Sequence, residues 1–174
     1  MSIIERINST EDIKKLSESE LNTLCAEIRE FLIKNVAQTG GHLASNLGTV
    51  ELTVALHRVY DTRVDRIVFD VGHQSYTHKI ITGRRDEFPT LRQHGGLSGF
   101  PKPYESDDDA FITGHASTSV SVATGMARAR AFTGKKYEVA AVIGDGAMTG
   151  GLAYEGLEDA ASCGEPIVII LNDN

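Results

Sequence analysis

The sequence predicts an α/β fold in which helices flank a parallel β-sheet. Two short β-branched runs, residues 139–143 and 167–171, have the composition of buried parallel strands. A helical stretch over about residues 149–162 separates them and stops at Gly164 and Pro166. Because such a strand–helix–strand crossover is right-handed, both strands should point the same way and end at the same edge of the sheet.

The other elements follow from local patterns. Ser17 and Glu20 form a capping-box pattern before a helix whose apolar positions are Leu21, Leu24, Ile28 and Leu32. The pair Gly40-Gly41 breaks that helix, and residues 49–60 resume helical character. Residues 66–71 and 110–112 are candidate strands, and a helix of small residues runs to about Thr133. Residues 84–109 are rich in glycine, proline and charged side chains, which is typical of a long surface loop with short helical pieces. We expect the acidic run 105–109 in this loop to be solvated.

Composition favours one globular domain over residues 1–174, since 41% of them are hydrophobic and 17 are glycine. No apolar run approaches the roughly 20 residues that cross a bilayer, and no secretion signal is evident, so we expect a cytosolic protein without a membrane partner. The net charge of −7 argues against a nucleic-acid partner. Cys25 and Cys163 lie far apart in the sequence and match no zinc or disulfide pattern, so we expect both to be buried free thiols.

Polar residues follow each of the two β-branched strands. Asp145, within Gly144-Asp145-Gly146, follows the first, and Asn174, within Asn172-Asp173-Asn174, follows the second. Ligands of open α/β sheets gather at this edge, and carboxylate and amide oxygens suit Mg²⁺. The sequence therefore predicts a magnesium–diphosphate site, with the glycines allowing the diphosphate to approach the backbone.

Nucleotide-binding alternatives fit less well. A dinucleotide fingerprint would need a third glycine at Thr149, and no P-loop pattern occurs in the sequence. By itself, Gly144-Asp145-Gly146 could also be an ordinary strand-to-helix turn with an aspartate cap.

Three of the six histidines lie in glycine-bearing turns, where functional residues concentrate. These are His42, His73 and His115, and the last two follow candidate strands. We interpret the other histidines, His57, His78 and His94, as surface or packing residues.

The spacing of Asp145 and Asn174, 29 positions apart, resembles the thiamine diphosphate motif. A wider set of motifs, in the same order, resembles the amino-terminal region of the 1-deoxy-D-xylulose-5-phosphate synthase family, within the transketolase-like superfamily. The resemblance covers about residues 17–174, and its motifs are residues 40–52, 70–74, 83–85, 95–97 and 114–119.

The resemblance implies a thiamine diphosphate-binding fold and a role for individual residues. Asp145 and Asn174 would bind Mg²⁺, and Gly146 and Ala147 would lie against the diphosphate. Asn174 is thus also a cofactor contact. His42 would be the substrate-side acid or base. The remaining cofactor contacts implied are His73, Gly114, His115 and Ala116.

The implied reaction is a decarboxylating condensation of pyruvate with glyceraldehyde 3-phosphate, which serves isoprenoid, thiamine and pyridoxal biosynthesis in a homodimeric enzyme. The family's activating glutamate, its phosphate-binding arginines and a third protein ligand to the metal have no counterpart in this sequence. We therefore expect an incomplete domain, truncated at its carboxyl end, that needs further domains or a separate subunit carrying them. Alone, it should be inactive and bind thiamine diphosphate weakly. A transketolase half and a non-catalytic cofactor-binding fragment are the alternatives.

Overall fold

The computed structural model describes residues 2–173, and these divide into two compact units. The first unit contains the chain up to Asp61 together with His73–Phe100, and the second contains Thr62–Gly72 together with the chain from Pro101 onwards. The sheet predicted from the sequence lies in the second unit.

The first unit is built from helices and helical turns. Ser17 caps the longest helix: its hydroxyl accepts a hydrogen bond from Glu20 N–H, and the Glu20 carboxylate accepts one from Ser17 N–H at 2.9 Å. This confirms the predicted capping box. The helices are α1 (Thr10–Lys14), α2 (Glu18–Thr39), α3 (Leu43–Leu47), α4 (Val50–Val59) and α5 (Tyr76–Lys79), with single helical turns at Ile4–Arg6, Ile80–Arg84 and Arg85–Thr90.

The core of the first unit is organised around α2. Leu24, Ile28 and Leu32 have no exposed surface, and Leu21 packs against them while partly buried. The apolar stripe predicted for this helix is therefore confirmed, and burial of a stripe spaced by three and four residues stabilises a helix in water. Phe88 and Leu91, which fall in the predicted surface loop, are also fully buried in this core.

The second unit contains a parallel sheet in the order β1 (Arg66–Phe69), β2 (Val139–Gly144) and β3 (Val168–Asn172). Phe69 is paired with Val142, and Gly144 with Asn172. Helix α6 (Ser119–Thr133) precedes β2, and a short turn (Gly146–Thr149) and α7 (Gly151–Cys163) connect β2 to β3. The predicted parallel sheet with flanking helices is confirmed, and α7 begins slightly later than predicted because the turn at Gly146–Thr149 comes first.

Two expectations for the second unit are wrong. Residues 110–112 form no strand, and Phe111 and Ile112 are exposed; three apolar residues are too few to specify a paired strand. The acidic run is also not uniformly solvated. Asp108 is buried and accepts a hydrogen bond from Thr62 Oγ1 at 2.5 Å, and Asp109 is buried and accepts one from Lys102 N–H at 2.6 Å. Donors supplied by the fold offset the cost of burying these carboxylates.

The cysteines and the apolar character of the helices bear on two expectations from composition. Both cysteines are free as predicted, although Cys163 is only partly buried. Within this range, no helix combines the length and apolar character needed to span a bilayer.

Two of the histidines predicted to be structural form a buried pair in the first unit. His57 Nδ1 lies 2.7 Å from the Thr53 carbonyl oxygen, so this nitrogen donates a hydrogen bond. His57 Nε2 lies 2.8 Å from His78 Nδ1, so a neutral His57 accepts here and His78 donates. Burial, together with His78 and Arg84 nearby, lowers the pKa of His57 from its usual 6.5 to about 3.

Acidification should therefore destabilise the protein through His57. The unfolded chain takes up a proton on this imidazole near pH 6.5, whereas the folded chain does so only near pH 3, so the free energy of unfolding falls as the pH drops through this window. The contribution of His57 to this slope should approach 1.4 kcal/mol per pH unit, about the value for one proton. Urea unfolding at a series of pH values between 7 and 4 measures it.

The variant His57→Gln removes this titration and should show a shallower pH dependence than the wild type, whatever its absolute stability. His94→Gln replaces an exposed histidine in the same way and is the matched control. Equal slopes for all three proteins would contradict the assignment.

Candidate functional site

The carboxyl edge of the sheet brings the ends of neighbouring strands together. Asp145 directly follows β2, and its N–H donates a hydrogen bond to the Asn172 carbonyl oxygen at 3.2 Å. This bond extends the β2–β3 ladder one residue beyond Gly144. The polar residues after β2 therefore lie beside the end of β3, as the sequence predicts. Asn174 lies outside the described residues, so the position of its amide oxygen stays a prediction.

The segment after β2 is accessible. Asp145 and Gly146 are exposed, and Ala147 is half-buried. A Cβ atom added at Gly146 would meet no heavy atom within 4 Å, so a bulky anion can approach the backbone at this point. A carboxylate beside open backbone is a suitable donor set for Mg²⁺ and a diphosphate. The residues present thus fit the predicted group.

The site predicted at Asp145 is not a cluster of acidic and imidazole side chains. Among residues 2–173, no three His, Cys, Asp or Glu side chains are arranged to hold a metal ion. The predicted site differs in kind, because a single carboxylate, an amide oxygen and ligand oxygens would share the metal.

The turn that carries His115 precedes α6 in the same unit. Gly114, His115 and Ala116 are all exposed. The buried carboxylate of Asp70 fixes the residues that follow: it accepts hydrogen bonds from Ser117 N–H at 2.8 Å and Ser119 N–H at 2.9 Å. Asp70 itself follows β1, and its N–H donates to the Val142 carbonyl oxygen at 2.8 Å. The His115 turn is therefore attached to the same edge of the sheet as Asp145.

The first unit brings His42 and His73 together. Their rings meet edge to face with centroids 5.0 Å apart; His42 is exposed and His73 is half-buried. The chain reaches His42 through Gly41, whose φ of 147° favours glycine. A Cβ there would lie 2.8 Å from the Tyr76 hydroxyl oxygen, so glycine also leaves room for this ring.

Asn46, a buried residue of α3, holds both histidine-bearing turns. Its Nδ2 donates hydrogen bonds to the His42 carbonyl oxygen at 2.7 Å and the His73 carbonyl oxygen at 2.8 Å. Its Oδ1 accepts one from Tyr76 N–H at 2.8 Å. Sequence reasoning missed this residue. The available signal is an asparagine four positions after His42, which is one helical turn away and faces the same side.

The comparisons with known proteins agree with the fold. The family model for 1-deoxy-D-xylulose-5-phosphate synthase matches residues 4–174. Synthases of that name from Alkaliphilus oremlandii and Pelotomaculum thermopropionicum are 61% and 59% identical to this chain over 97% and 99% of its length. The matched region is 27% of each relative, so this chain spans about a quarter of their length.

Similar solved structures are transketolases. The transketolase from Leishmania mexicana has a TM-score of 0.74 at 20% identity and covers 97% of this chain, which covers 28% of it. A transketolase variant from Pichia stipitis has a TM-score of 0.70 at 18% identity and covers 100% of this chain, which covers 27% of it. At these identities the structures show a shared fold.

Replacing Asn46 with alanine should destabilise the first unit and release the histidine pair. The change leaves two carbonyl groups and one N–H without their buried partner, which should lower the free energy of unfolding by about 2–4 kcal/mol. Urea unfolding measures that loss, and proton NMR titration of the His42 and His73 ring signals detects the altered environment. Asn35 is a matched control because its Nδ2 bonds only to the Phe31 carbonyl oxygen on the same helix. If Asn35→Ala and Asn46→Ala had equal effects, the anchoring role would be contradicted.

Proposed function

The chain belongs to the 1-deoxy-D-xylulose-5-phosphate synthase family, and we propose on this basis that it forms the diphosphate-binding part of an enzyme that condenses pyruvate with glyceraldehyde 3-phosphate and releases carbon dioxide. The cofactor in this proposal is thiamine diphosphate with Mg²⁺. The observation that carries the proposal is the Asp145–Asn172 hydrogen bond, which supports a common metal site for the residues that follow β2 and β3.

In the second unit we assign the metal and the cofactor contacts. Asp145 and Asn174 bind Mg²⁺, and Gly146 and Ala147 lie against the diphosphate. The exposed carboxylate of Asp145 and the open backbone at Gly146 support this assignment. The exposed turn 114–116 contacts the cofactor as well, and its attachment to Asp70 supports a fixed position for that contact.

In the first unit we assign proton transfer to His42 and a cofactor contact to His73. Thiamine diphosphate, when bound, supplies the electron sink for decarboxylation, and the protein holds it and moves protons. An imidazole suits the second task because it gives and takes protons near neutral pH. The His42 ring meets the His73 ring edge to face and is exposed, which supports access of a substrate carbonyl oxygen to it.

Further parts of the proposal concern the whole protein. On this proposal, the residues that activate the aminopyrimidine and bind the substrate phosphate belong to the rest of such a protein. The matched region is 27% of each of the two relatives, so about three quarters of each relative lies outside it. On this proposal residues 1–174 are one incomplete cofactor-binding domain of a cytosolic homodimer. Its product feeds isoprenoid, thiamine and pyridoxal biosynthesis.

The reaction can be tested in a chimera that joins this chain to the unmatched remainder of the Alkaliphilus oremlandii synthase. We expect carbon dioxide release from pyruvate that requires glyceraldehyde 3-phosphate, thiamine diphosphate and Mg²⁺ together. Transfer from a ketose phosphate to ribose 5-phosphate would instead indicate a transketolase. A folded chimera that binds the cofactor without turnover would indicate a non-catalytic fragment.

Asp145→Ala should abolish the metal-dependent part of cofactor binding in the same chimera. Loss of a neighbour of a metal ligand costs about 10–100-fold in affinity, so loss of the ligand itself should weaken thiamine diphosphate binding by at least about 100-fold. Titration calorimetry at fixed Mg²⁺ measures this. Asp107 is an exposed carboxylate in the same unit, so Asp107→Ala serves as control and should bind like the wild type. Unchanged binding by Asp145→Ala, with unchanged circular dichroism, would remove Asp145 from the site.

A further inference from the structure

Ser117 is held in an unfavourable backbone conformation at a buried position of the second unit. Its φ is 70°, in the left-handed region that side-chain-bearing residues rarely adopt, and the residue is 6% exposed. Such a strained conformation persists only where surrounding contacts impose it. Ser117 directly follows the exposed turn of Gly114, His115 and Ala116.

Two hydrogen bonds hold Ser117 in this conformation, and they connect it to two different parts of the unit. Ser117 N–H donates to Asp70 Oδ1 at 2.8 Å, which ties it to the end of β1. Its hydroxyl donates to the Ala147 carbonyl oxygen at 2.6 Å, which ties it to the turn after β2. One residue thus links the His115 turn to the Gly146–Thr149 turn, 30 positions further along the chain.

Gly150 shows that this contact is closely packed. A Cβ atom at Gly150 would lie 3.0 Å from Ser117 Cβ and closer still to its hydroxyl oxygen, so only glycine leaves space for the serine side chain. Gly150 N–H in turn donates to the Ala147 carbonyl oxygen at 3.4 Å, and that oxygen therefore receives both bonds. The hydroxyl, the glycine and the carbonyl form one tightly packed group.

We propose that Ser117 is a positioning residue that locks the His115 turn and the Gly146–Thr149 turn into one preformed cofactor-binding surface. The inference rests on the proposed function, because both turns are assigned to thiamine diphosphate there. The physical basis is preorganisation. If both turns are already ordered in the free protein, less conformational entropy is lost when the cofactor binds, and the affinity is higher. Ser117 itself does not touch the cofactor in this scheme; it acts through Ala147 and His115.

Amide hydrogen exchange in the 174-residue chain tests the link without any cofactor. Met148 and Gly150 N–H report on the second turn, since they donate to the Asp145 and Ala147 carbonyl oxygens. Ser117→Ala removes only the hydroxyl, and we expect exchange at these two amides to accelerate by about tenfold, as for loss of one buried hydrogen bond. Buried amides of β2 report global stability and should change less.

Two further variants isolate the hydroxyl. Ser117→Gly also lacks it but relieves the left-handed strain, so it should show the same local acceleration even if Ser117→Ala is too unstable to study. Thr118→Ala removes the neighbouring hydroxyl, which donates to the His115 carbonyl oxygen and not to the second turn among residues 2–173, and should leave exchange at Met148 and Gly150 unchanged. No acceleration at these amides in either Ser117 variant, or an equal acceleration at every amide, would overturn the proposal.

Cofactor affinity separates this inference from the proposed function. In the chimera described above, Ser117→Ala should weaken binding of thiamine diphosphate with Mg²⁺ by about tenfold. Ser162→Ala is the matched control and should bind like the wild type, because the Ser162 hydroxyl is exposed and bonds to the Glu158 carbonyl oxygen within α7. A local acceleration of exchange with unaltered affinity would overturn the positioning role. A wild-type chimera that folds and shows the exchange link but binds no thiamine diphosphate would overturn the proposed function instead.

Discussion

The candidate site in the second unit depends on the parallel register of its three strands. Gly144 is paired with Asn172, and the ladder continues for one residue past the strand ends through the N–H groups of Asp70 and Asp145. Neighbouring strands are about 4.8 Å apart, so residues that follow adjacent strands are delivered to one small region. A register slip of one residue would turn every side chain of a strand to the other face and would disperse these groups.

The turns beyond regular structure are fixed by buried polar side chains rather than by apolar packing. Asn46 bonds to three backbone groups and Asp70 to two, and both side chains are almost completely buried. Backbone groups in an irregular turn need partners, and a directional side chain can supply them without extending a helix or strand. Because a buried amide or carboxylate left partly bonded is costly, each anchor permits few alternative turn geometries. In each unit, a buried polar side chain thus fixes the backbone of a turn that carries exposed candidate site residues.

Sequence reasoning predicted the elements whose signals are local. The β-branched runs gave β2 and β3, the capping box at Ser17 gave the start of α2, and small residues ending near Thr133 gave α6. It missed the anchors because their partners lie far away along the chain: 27 positions separate Asn46 from His73, and 47 separate Asp70 from Ser117. The same reason explains the error at Asp108, whose burial depends on Thr62, 46 positions earlier. No periodic pattern encodes such pairs.

The histidines show how local context is related to burial. His57 and His78 lie on two helices of the first unit. Both residues are buried, and their rings form a hydrogen bond with each other in the interior of that unit. An imidazole there is kept neutral by burial, which lowers the pKa of His57 far below the range in which it could exchange protons with a substrate. His42 follows two glycines with positive φ, and that backbone carries its ring out of the helix to an exposed position. The glycine turn thus leaves the His42 ring accessible, as an acid–base group requires, and the catalytic role of His42 stays a prediction.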